Sequence, residues 1–447
     1  MTYDIAVLGA GPGGYVAAIH AAKKGARVAV IEQKGLGGVC LHTGCIPTKA
    51  LIAVAQQWHQ LRQGQSRGIP TVSGEIDWVQ LVAWKQQLID RLAKGIETLF
   101  DKHKVAWIRG RGTLTSSASI EVESADGKRE IQAKNFIIAT GSQPRSLKGI
   151  SFNQNILSSD SLLTLPKSPK SLLIAGGGAT GCEMAGLYQM FGSHVTLVEA
   201  EERLLPNFDK EISERLAGYF QQRGIELFFK TTLQEIKSTP LHTSAVLSNG
   251  ACVSAEAVLI SIGRDCQIDR IGLDRVGIKT DRGRVVVDGY LRTNVPAIYA
   301  VGDVTARHFV AHGASHDGMI AVENILGAQR QVSQWIPQTV FTTPEIAAVG
   351  FSEEELKKKG IEYHVHKSHY ATLGRAHIIG EPHGWLKILT DAREGKILGV
   401  HAIGSHISEF IGEGVMAMEL GATLEQLKRV IHPHPTLSEI WTEAIWS

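Results

Sequence analysis

The sequence predicts an α/β fold in which one strand–helix–strand module occurs twice and is followed by a separate α+β domain. Three observations predict it. A glycine loop follows a short apolar strand at residues 9–14, a second does so at residues 176–181, and strands and helices resume in a different order beyond residue 333. At ~150 residues to an ordinary domain, a chain of 447 residues holds about three units. Glycine is frequent (47 residues) and proline scarce (14), which suits glycine turns between strands and helices better than collagen-like or disordered chain. The net charge is +2 with acids and bases interspersed, so no nucleic-acid or membrane surface is expected. No apolar run approaches the ~20 residues of a membrane span. Residues 1–8 read directly as a strand, without a basic-then-apolar leader, and a cytoplasmic protein is expected.

The first module reads as a strand over residues 4–8, a glycine loop, a helix to about residue 24 and a strand over residues 27–31. Its loop, Gly9-Ala10-Gly11-Pro12-Gly13-Gly14, fits G-x-G-x-x-G. Gly9 permits the tight turn, Gly11 lets the backbone approach a pyrophosphate, and Gly14 lets the helix pack on the strand with its amino end toward the phosphates. Glu32 follows at the end of the second strand, where a carboxylate accepts hydrogen bonds from ribose hydroxyls. A lone glycine loop is weak evidence. Strand, helix, strand and acid in register make dinucleotide binding the better reading.

Helical spacing continues over residues 48–61, a polar link over 64–74 and a long helix over 77–103. Residues 105–138 read as short strands, broken by the hairpin signal Asp126-Gly127. The second module follows: a strand over residues 171–175, the loop Gly176-Gly177-Gly178-Ala179-Thr180-Gly181, a helix, a strand over 194–198, and Glu199. Gly9 and Gly176 stand 167 residues apart, the mark of an internal duplication. The glycines Gly176, Gly178 and Gly181 repeat the roles of the first set. Glu199 favours a free ribose 2′-hydroxyl and repels a 2′-phosphate, which predicts NAD over NADP. Two Rossmann-like modules call for two dinucleotides, most economically a flavin held permanently and a nicotinamide that exchanges. After Gly263 strand-rich sequence runs to residues 297–303. The last region carries strands at 384–389 and 397–402 and helices at 408–420 and 424–430.

Between the first module and the long helix lies Gly37-Gly38-Val39-Cys40-Leu41-His42-Thr43-Gly44-Cys45-Ile46-Pro47-Thr48-Lys49. The C-x4-C pair lacks the two further ligands at short spacing that zinc needs, and a reducing compartment disfavours a structural disulfide. A helix is expected to begin near Pro47, which suits a first helical position. A cysteine at such an amino end has a lowered pKa, and Lys49 adds a positive charge within a turn. This is chemistry for a disulfide that opens to thiolates beside an electron acceptor.

Taken together, these residues resemble the pyridine nucleotide–disulfide oxidoreductase family. The stretch 37–51 resembles its redox motif, and Ala139-Thr140-Gly141-Ser142 its Ala-Thr-Gly turn. Ser261-Ile262-Gly263-Arg264 is similar to the strand end beside the nicotinamide, and the run from Thr293 to Asp303 to the second FAD motif, continued by Ala311-His312. The segment 432–439, His-Pro-His-Pro-Thr-Leu-Ser-Glu, resembles the signature of the branch that oxidises protein-bound dihydrolipoamide.

The resemblance implies FAD, NAD, a homodimer and a lipoylated protein as partner. It implies that Cys40 exchanges with the substrate dithiol, that Cys45 faces the flavin, and that Lys49 pairs with Glu183 near the ring. His434 is the implied general base, oriented by Glu439; imidazole titrates near neutrality, and a carboxylate on its far nitrogen fixes the tautomer. FAD contacts are implied for Gly9, Gly11, Gly14, Glu32, Gly38, Lys49, Gly112, Thr140, Gly141, Asp303 and Ala311. NAD contacts are implied for Gly176, Gly178, Gly181, Glu199, Gly263 and Arg264. The expected division is 1–143 (FAD), 144–264 (NAD), 265–332 (central, completing the FAD site) and 333–447 (interface). Rival readings are an NAD(P)H-dependent reductase of another disulfide and an electron-transfer subunit for a lipoylated partner. Glu199 and the C-terminal signature argue against an NADPH reductase.

Other residues carry no expected chemistry. His364, His366 and His369 alternate along a strand without an acid or cysteine at ligand spacing, so no metal is expected. Cys182, Cys252 and Cys266 read as packing residues. Trp58, Trp78, Trp84 and Trp107 read as helix packing, and Trp441 and Trp446 as a subunit contact.

Overall fold

The computed structural model describes residues 2–63, 68, 70, 74–239 and 242–447, so most of the expected 64–74 link lies outside the described residues. Strand Thr2–Leu8 pairs in parallel with Val28–Glu32 on one side and Gly127–Ile138 on the other. Ala106–Arg109 continues the sheet on the first side, and Ser119–Ser124 and Arg111–Ser116 on the second. Ile298–Ala300, from far along the chain, also pairs with Gly127–Ile138, so residues beyond the second module complete the first sheet. Residues 5–8 and 28–31 are buried almost throughout, as a parallel sheet covered on both faces requires. Helix Pro12–Lys23 lies over this sheet and crosses Ala311–Ile325 closely. A side chain on Gly318 would collide with the Gly13 carbonyl, so only glycine permits that crossing.

The second module repeats the plan in a five-stranded parallel sheet ordered Glu226–Phe228, His194–Val198, Ser171–Ala175, Ala257–Ile260, Ile156–Leu157. Register repeats as well: Leu8 lies opposite Ile31 in the first sheet, and Ala175 opposite Val198 in the second. An antiparallel hairpin sheet, Leu233–Ser238, Thr243–Leu247 and Cys252–Ala255, is appended to it. Strand Arg264–Cys266 runs back to pair with Ser142–Pro144, stitching the two modules together.

The C-terminal unit is a five-stranded antiparallel sheet ordered Gln338–Val340, Glu345–Gly350, Ile397–Gly404, Trp385–Asp391, Tyr363–His369. The helix expected over 408–420 is two, Ile407–Phe410 and Gly412–Glu419, separated by a single residue, Ile411, that keeps helical backbone angles; Ala417 and Met418 of the second are buried. Trp441 is 1% exposed in the core of this unit, so it is no contact residue, whereas Trp446 is exposed as expected. Trp78 packs edge-on against Phe191, but Trp84 is exposed on its helix and packs little.

Helix Cys45–Gln63 begins two residues before Pro47, with Cys45 itself in the first position. The Gly44 carbonyl accepts the Thr48 N–H, which closes the first turn early and leaves Pro47 where its missing N–H costs nothing. Against expectation, the stretch Gly38–Arg62 is long and apolar enough to cross a membrane, its most apolar 18-residue window having a mean hydropathy of 1.4. Its apolar side chains have protein to cover them. Leu51, Ile52 and Ala55 enter one core with Met184, Leu187 and Tyr188 of helix Ala179–Met190, and each fully buried Leu or Ile contributes ~1.5–3 kcal/mol.

Candidate active site

Glycine builds two matching cradles. Gly9 and Gly176 have positive φ (+105° and +107°), and a side chain on either would collide with the neighbouring strand end, at the carbonyls of Ala139 and Ser261. A Cβ on Gly14 would strike the Gly9 carbonyl, and one on Gly181 the Gly176 carbonyl, so each helix sits directly on its strand. By contrast, nothing lies within 4 Å of a Cβ at Gly11 or Gly178. Both helices begin just there, without a side-chain cap, and leave first-turn N–H groups free. Open space before an uncapped amino end fits a pyrophosphate.

The acids match too. Glu32 accepts the N–H groups of Ala10 (2.9 Å) and Lys34 (2.7 Å). Glu199 accepts those of Gly177 (2.5 Å) and Glu201 (2.8 Å). Each carboxylate is thus fixed beside its glycine loop, where ribose hydroxyls would lie.

The cysteine segment is pressed onto the first cradle. The Gly37 N–H bonds the Ala10 carbonyl at 2.8 Å, and Gly38, at φ +60°, lies so close to Gly11 that a side chain would overlap it. Cys40 sits in the short helix Gly38–His42 and Cys45 begins the next helix; both are partly buried thiols. The hydrogen bond from Cys40 lowers the Cys45 pKa to about 7, helped by the Lys49 charge and opposed by burial and by Glu183. The same bond and burial push Cys40 far up. The pair therefore holds one shared proton and one thiolate near neutrality. His42 turns away, its ring bonded to the Leu36 carbonyl at 2.9 Å.

Lys49 grips both oxygens of Glu183, at 2.9 and 2.8 Å, as the resemblance implied. Sequence reasoning missed the third member. The Phe341 N–H donates to Glu183 at 2.9 Å, and its ring lies 4.5 Å from the Lys49 ammonium. One carboxylate thus joins the first module, the second and the C-terminal unit.

Near the strand crossing, Thr140 bonds the Gln267 carbonyl at 2.7 Å, and Gly141 and Gly263 take positive φ. Arg264 and Asp303 are brought together through Ser142, which bonds both. Cys266 is more than packing: its thiol donates to the Asp303 carbonyl at 3.0 Å. Ala311 opens helix Ala311–Ile325, whose amino end is also uncapped. Gly112 lies beneath the strand ends, where a side chain would meet Leu8, Ile31 and Ile120. Another pair escaped notice, His308 bonded to Asp317 at 2.9 Å, both buried. Its members are nine residues apart, and no motif marks them.

His434 and Glu439 meet at 2.8 Å through Nδ1, on a side chain 77% exposed. Burial raises the Glu439 pKa, but the Thr436 N–H and His434 outweigh it and hold the carboxyl below its ordinary value. The neighbouring His432 is buried and bonded to Glu413 and Thr442 instead.

Two dinucleotide cradles flanking a polarised dithiol define a nucleotide-linked disulfide oxidoreductase. The chain belongs to the family described as pyridine nucleotide-disulphide oxidoreductase, which matches residues 3–331, while residues 336–445 match that family's dimerisation domain. Members of this family use FAD and a pyridine nucleotide. Dihydrolipoyl dehydrogenase of Chlorobaculum tepidum is 39% identical over 450 residues, covering 99% of this chain and 96% of that protein. The enzyme of the same name from Chlamydia pneumoniae is 38% identical over 444 residues, with the same coverage. Among solved structures, LpdA from Mycobacterium tuberculosis superposes with a TM-score of 0.94 at 30% identity, over 100% of this chain and 99% of that one. The Cu(II) complex of the HOCl-induced flavoprotein disulfide reductase RclA from Escherichia coli reaches 0.90 at 28% identity, with the same coverage.

Proposed function

We propose that this chain is a cytoplasmic, homodimeric dihydrolipoyl dehydrogenase that oxidises protein-bound dihydrolipoamide with NAD⁺. The observation that carries the reading is the outward-facing His434–Glu439 pair on the dimerisation unit, a base with its orienting carboxylate presented away from its own chain. Exposed Leu420 and Ile431 (77% and 93%) supply apolar surface for a second copy on that same unit. The unpaired cysteines outside the C-x4-C motif accord with a reducing compartment.

FAD fits the first cradle, held by Gly9, Gly11, Gly14, Glu32, Gly38, Thr140, Gly141, Asp303 and the amino end at Ala311, with Gly112 under the strand ends. NAD fits the second, held by Gly176, Gly178, Gly181, Glu199, Gly263 and Arg264. When bound, FAD would supply the two-electron link between the dithiol pair and NAD⁺. His434 of one subunit takes a proton from a substrate thiol, and that thiolate attacks Cys40 Sγ of the oxidised pair in the other subunit. The S–S bond breaks and Cys45 leaves as a thiolate, which its lowered pKa favours. The second substrate thiol displaces Cys40, whose thiolate recovers the first proton from His434, while the second thiol's own proton passes to the freed imidazole and on to solvent as the H⁺ of the sum. The sum is R(SH)₂ + NAD⁺ → RS₂ + NADH + H⁺. Lys49, fixed by Glu183, keeps a positive charge beside the thiolate.

Anaerobic titration of the FAD-loaded protein tests the reading. Dihydrolipoamide and NADH should each bleach the flavin band, and NADPH should do so far less effectively. A flavin untouched by dihydrolipoamide would overturn the substrate, and a kcat/KM higher with NADPH than NADH would overturn the nucleotide.

A further inference from the structure

We propose that Ser142 is a positioning residue that aims Asp303 into the first cradle toward a bound FAD, and that Arg264 holds Ser142 in the one orientation that does so. This rests on the reading of the first cradle as an FAD site. Ser142 is 1% exposed at the start of strand Ser142–Pro144, with its hydroxyl between two charged groups that come from distant segments. Arg264 Nε donates to Ser142 Oγ at 2.7 Å, and Ser142 Oγ donates to Asp303 Oδ2 at 2.5 Å.

Direction follows from chemistry. A guanidinium only donates, so the serine oxygen receives from Arg264 and has a single proton left to give, to the carboxylate. Reversal would need a protonated aspartate or a deprotonated arginine. With Oδ2 engaged, the carboxylate plane is set and Oδ1 is left to accept from a ligand.

The surroundings reinforce this. Arg264 Nη2 and Gln267 Nε2 both donate to the Ser142 carbonyl, at 3.0 and 3.1 Å, so the residue is held at both ends. The Cys266 thiol secures the Asp303 backbone carbonyl. Arg264 and Cys266 bound one strand, which begins where the second module ends. The relay therefore connects the nicotinamide-side strand to the flavin-side aspartate through one hydroxyl. Its second half is a hydrogen bond to a charged group, the strong kind.

The test is FAD affinity, measured by titrating deflavinated protein and following flavin fluorescence. Ser142→Ala should weaken FAD by roughly 10–100-fold, the range for a lost hydrogen bond to a charged group, while Ser142→Thr stays near wild type. In an Asp303→Ala background the Ser142→Ala change should cost nothing further, because Ser142 acts through Asp303. Arg264→Met should weaken FAD in the wild-type background and add little to Ser142→Ala; it keeps the idea testable if the alanine variant fails to fold. Equal FAD affinity in wild type and Ser142→Ala, or an undiminished loss in the Asp303→Ala background, would overturn the relay. Failure of the wild-type protein to bind FAD would overturn the cradle reading instead.

Discussion

A proton shared between two sulfurs sets the reactivity of the Cys40–Cys45 pair. The Cys40 hydrogen bond is the largest influence lowering Cys45, ahead of the Lys49 charge. Removing that donor leaves burial, which favours the neutral thiol, more nearly unopposed. In the reduced protein, thiolate absorbance near ~240 nm should rise with a midpoint close to pH 7, against ~8.5 for an unperturbed thiol. In Cys40→Ala the midpoint should move up; identical curves would show that the helix amino end and Lys49 suffice. At this scale the sequence was informative where chemistry is local. Cys40, Cys45 and Lys49 fall within ten residues, and Glu439 lies five beyond His434. The contacts of Ser142, those of Phe341 and the His308–Asp317 pair went unread, although Ser142 stood in a recognised turn: the first two join distant segments, one of them through a backbone N–H that any residue supplies, and the third lies in no motif.

Among elements, one buried lysine gathers three carboxylates at the contact between the second module and the C-terminal sheet. Lys387, 1% exposed in strand Trp385–Asp391, bonds Asp209 (2.9 Å) and Glu211 (2.7 Å) at the start of helix Lys210–Gln222. It also bonds Glu353 (2.6 Å), the first residue of helix Glu353–Lys359. The three carboxylates lie within 4.8 Å of one another and share the Lys387 ammonium, with Lys367 also pairing Glu211 and Lys357 pairing Glu353. Register places Lys367 and His401 on either side of Lys387; burial lowers the His401 pKa and favours its neutral ring, so the two lysines carry the positive charge of this row. Lys387→Met should destabilise the folded chain by about 3 kcal/mol, the low end for breaking a buried ion pair because Glu211 and Glu353 keep some solvent. Chemical denaturation should show this, and lowered stability should be accompanied by earlier proteolysis between the two units. A stability unchanged within error would mean that water replaces the ammonium. None of this was legible beforehand, since Asp209 and Lys387 are 178 residues apart. The paired modules were legible because strand, loop, helix and acid follow one another without interruption; the C-terminal helices were less so, since the one-residue interruption at Ile411 leaves the periodicity unchanged.

Taken whole, the molecule keeps its thiols and its base at opposite ends of the sequence, and the proposed chemistry needs two copies of it. His434→Gln should lose dithiol oxidation by about 10²–10⁴-fold while NADH still reduces the flavin, and Cys40→Ser should be equally inactive toward dithiol. Co-expressed, the two should recover activity in mixed dimers, where one of the two sites combines an intact Cys40 with an intact His434. A purified heterodimer without activity would place the base elsewhere. The shape of the whole also separates two cradles that are almost identical in their glycines and acids. The first lies beneath the cysteine segment, with Gly38 against Gly11 and a second helix packed across its own. The second opens to solvent at Ala179 and Thr180. A ligand in the first is therefore expected to exchange slowly, because the cysteine segment lies over it, and one in the second to exchange quickly. Duplicated binding surfaces would thereby acquire different residence times, which displacement kinetics of each bound dinucleotide would measure.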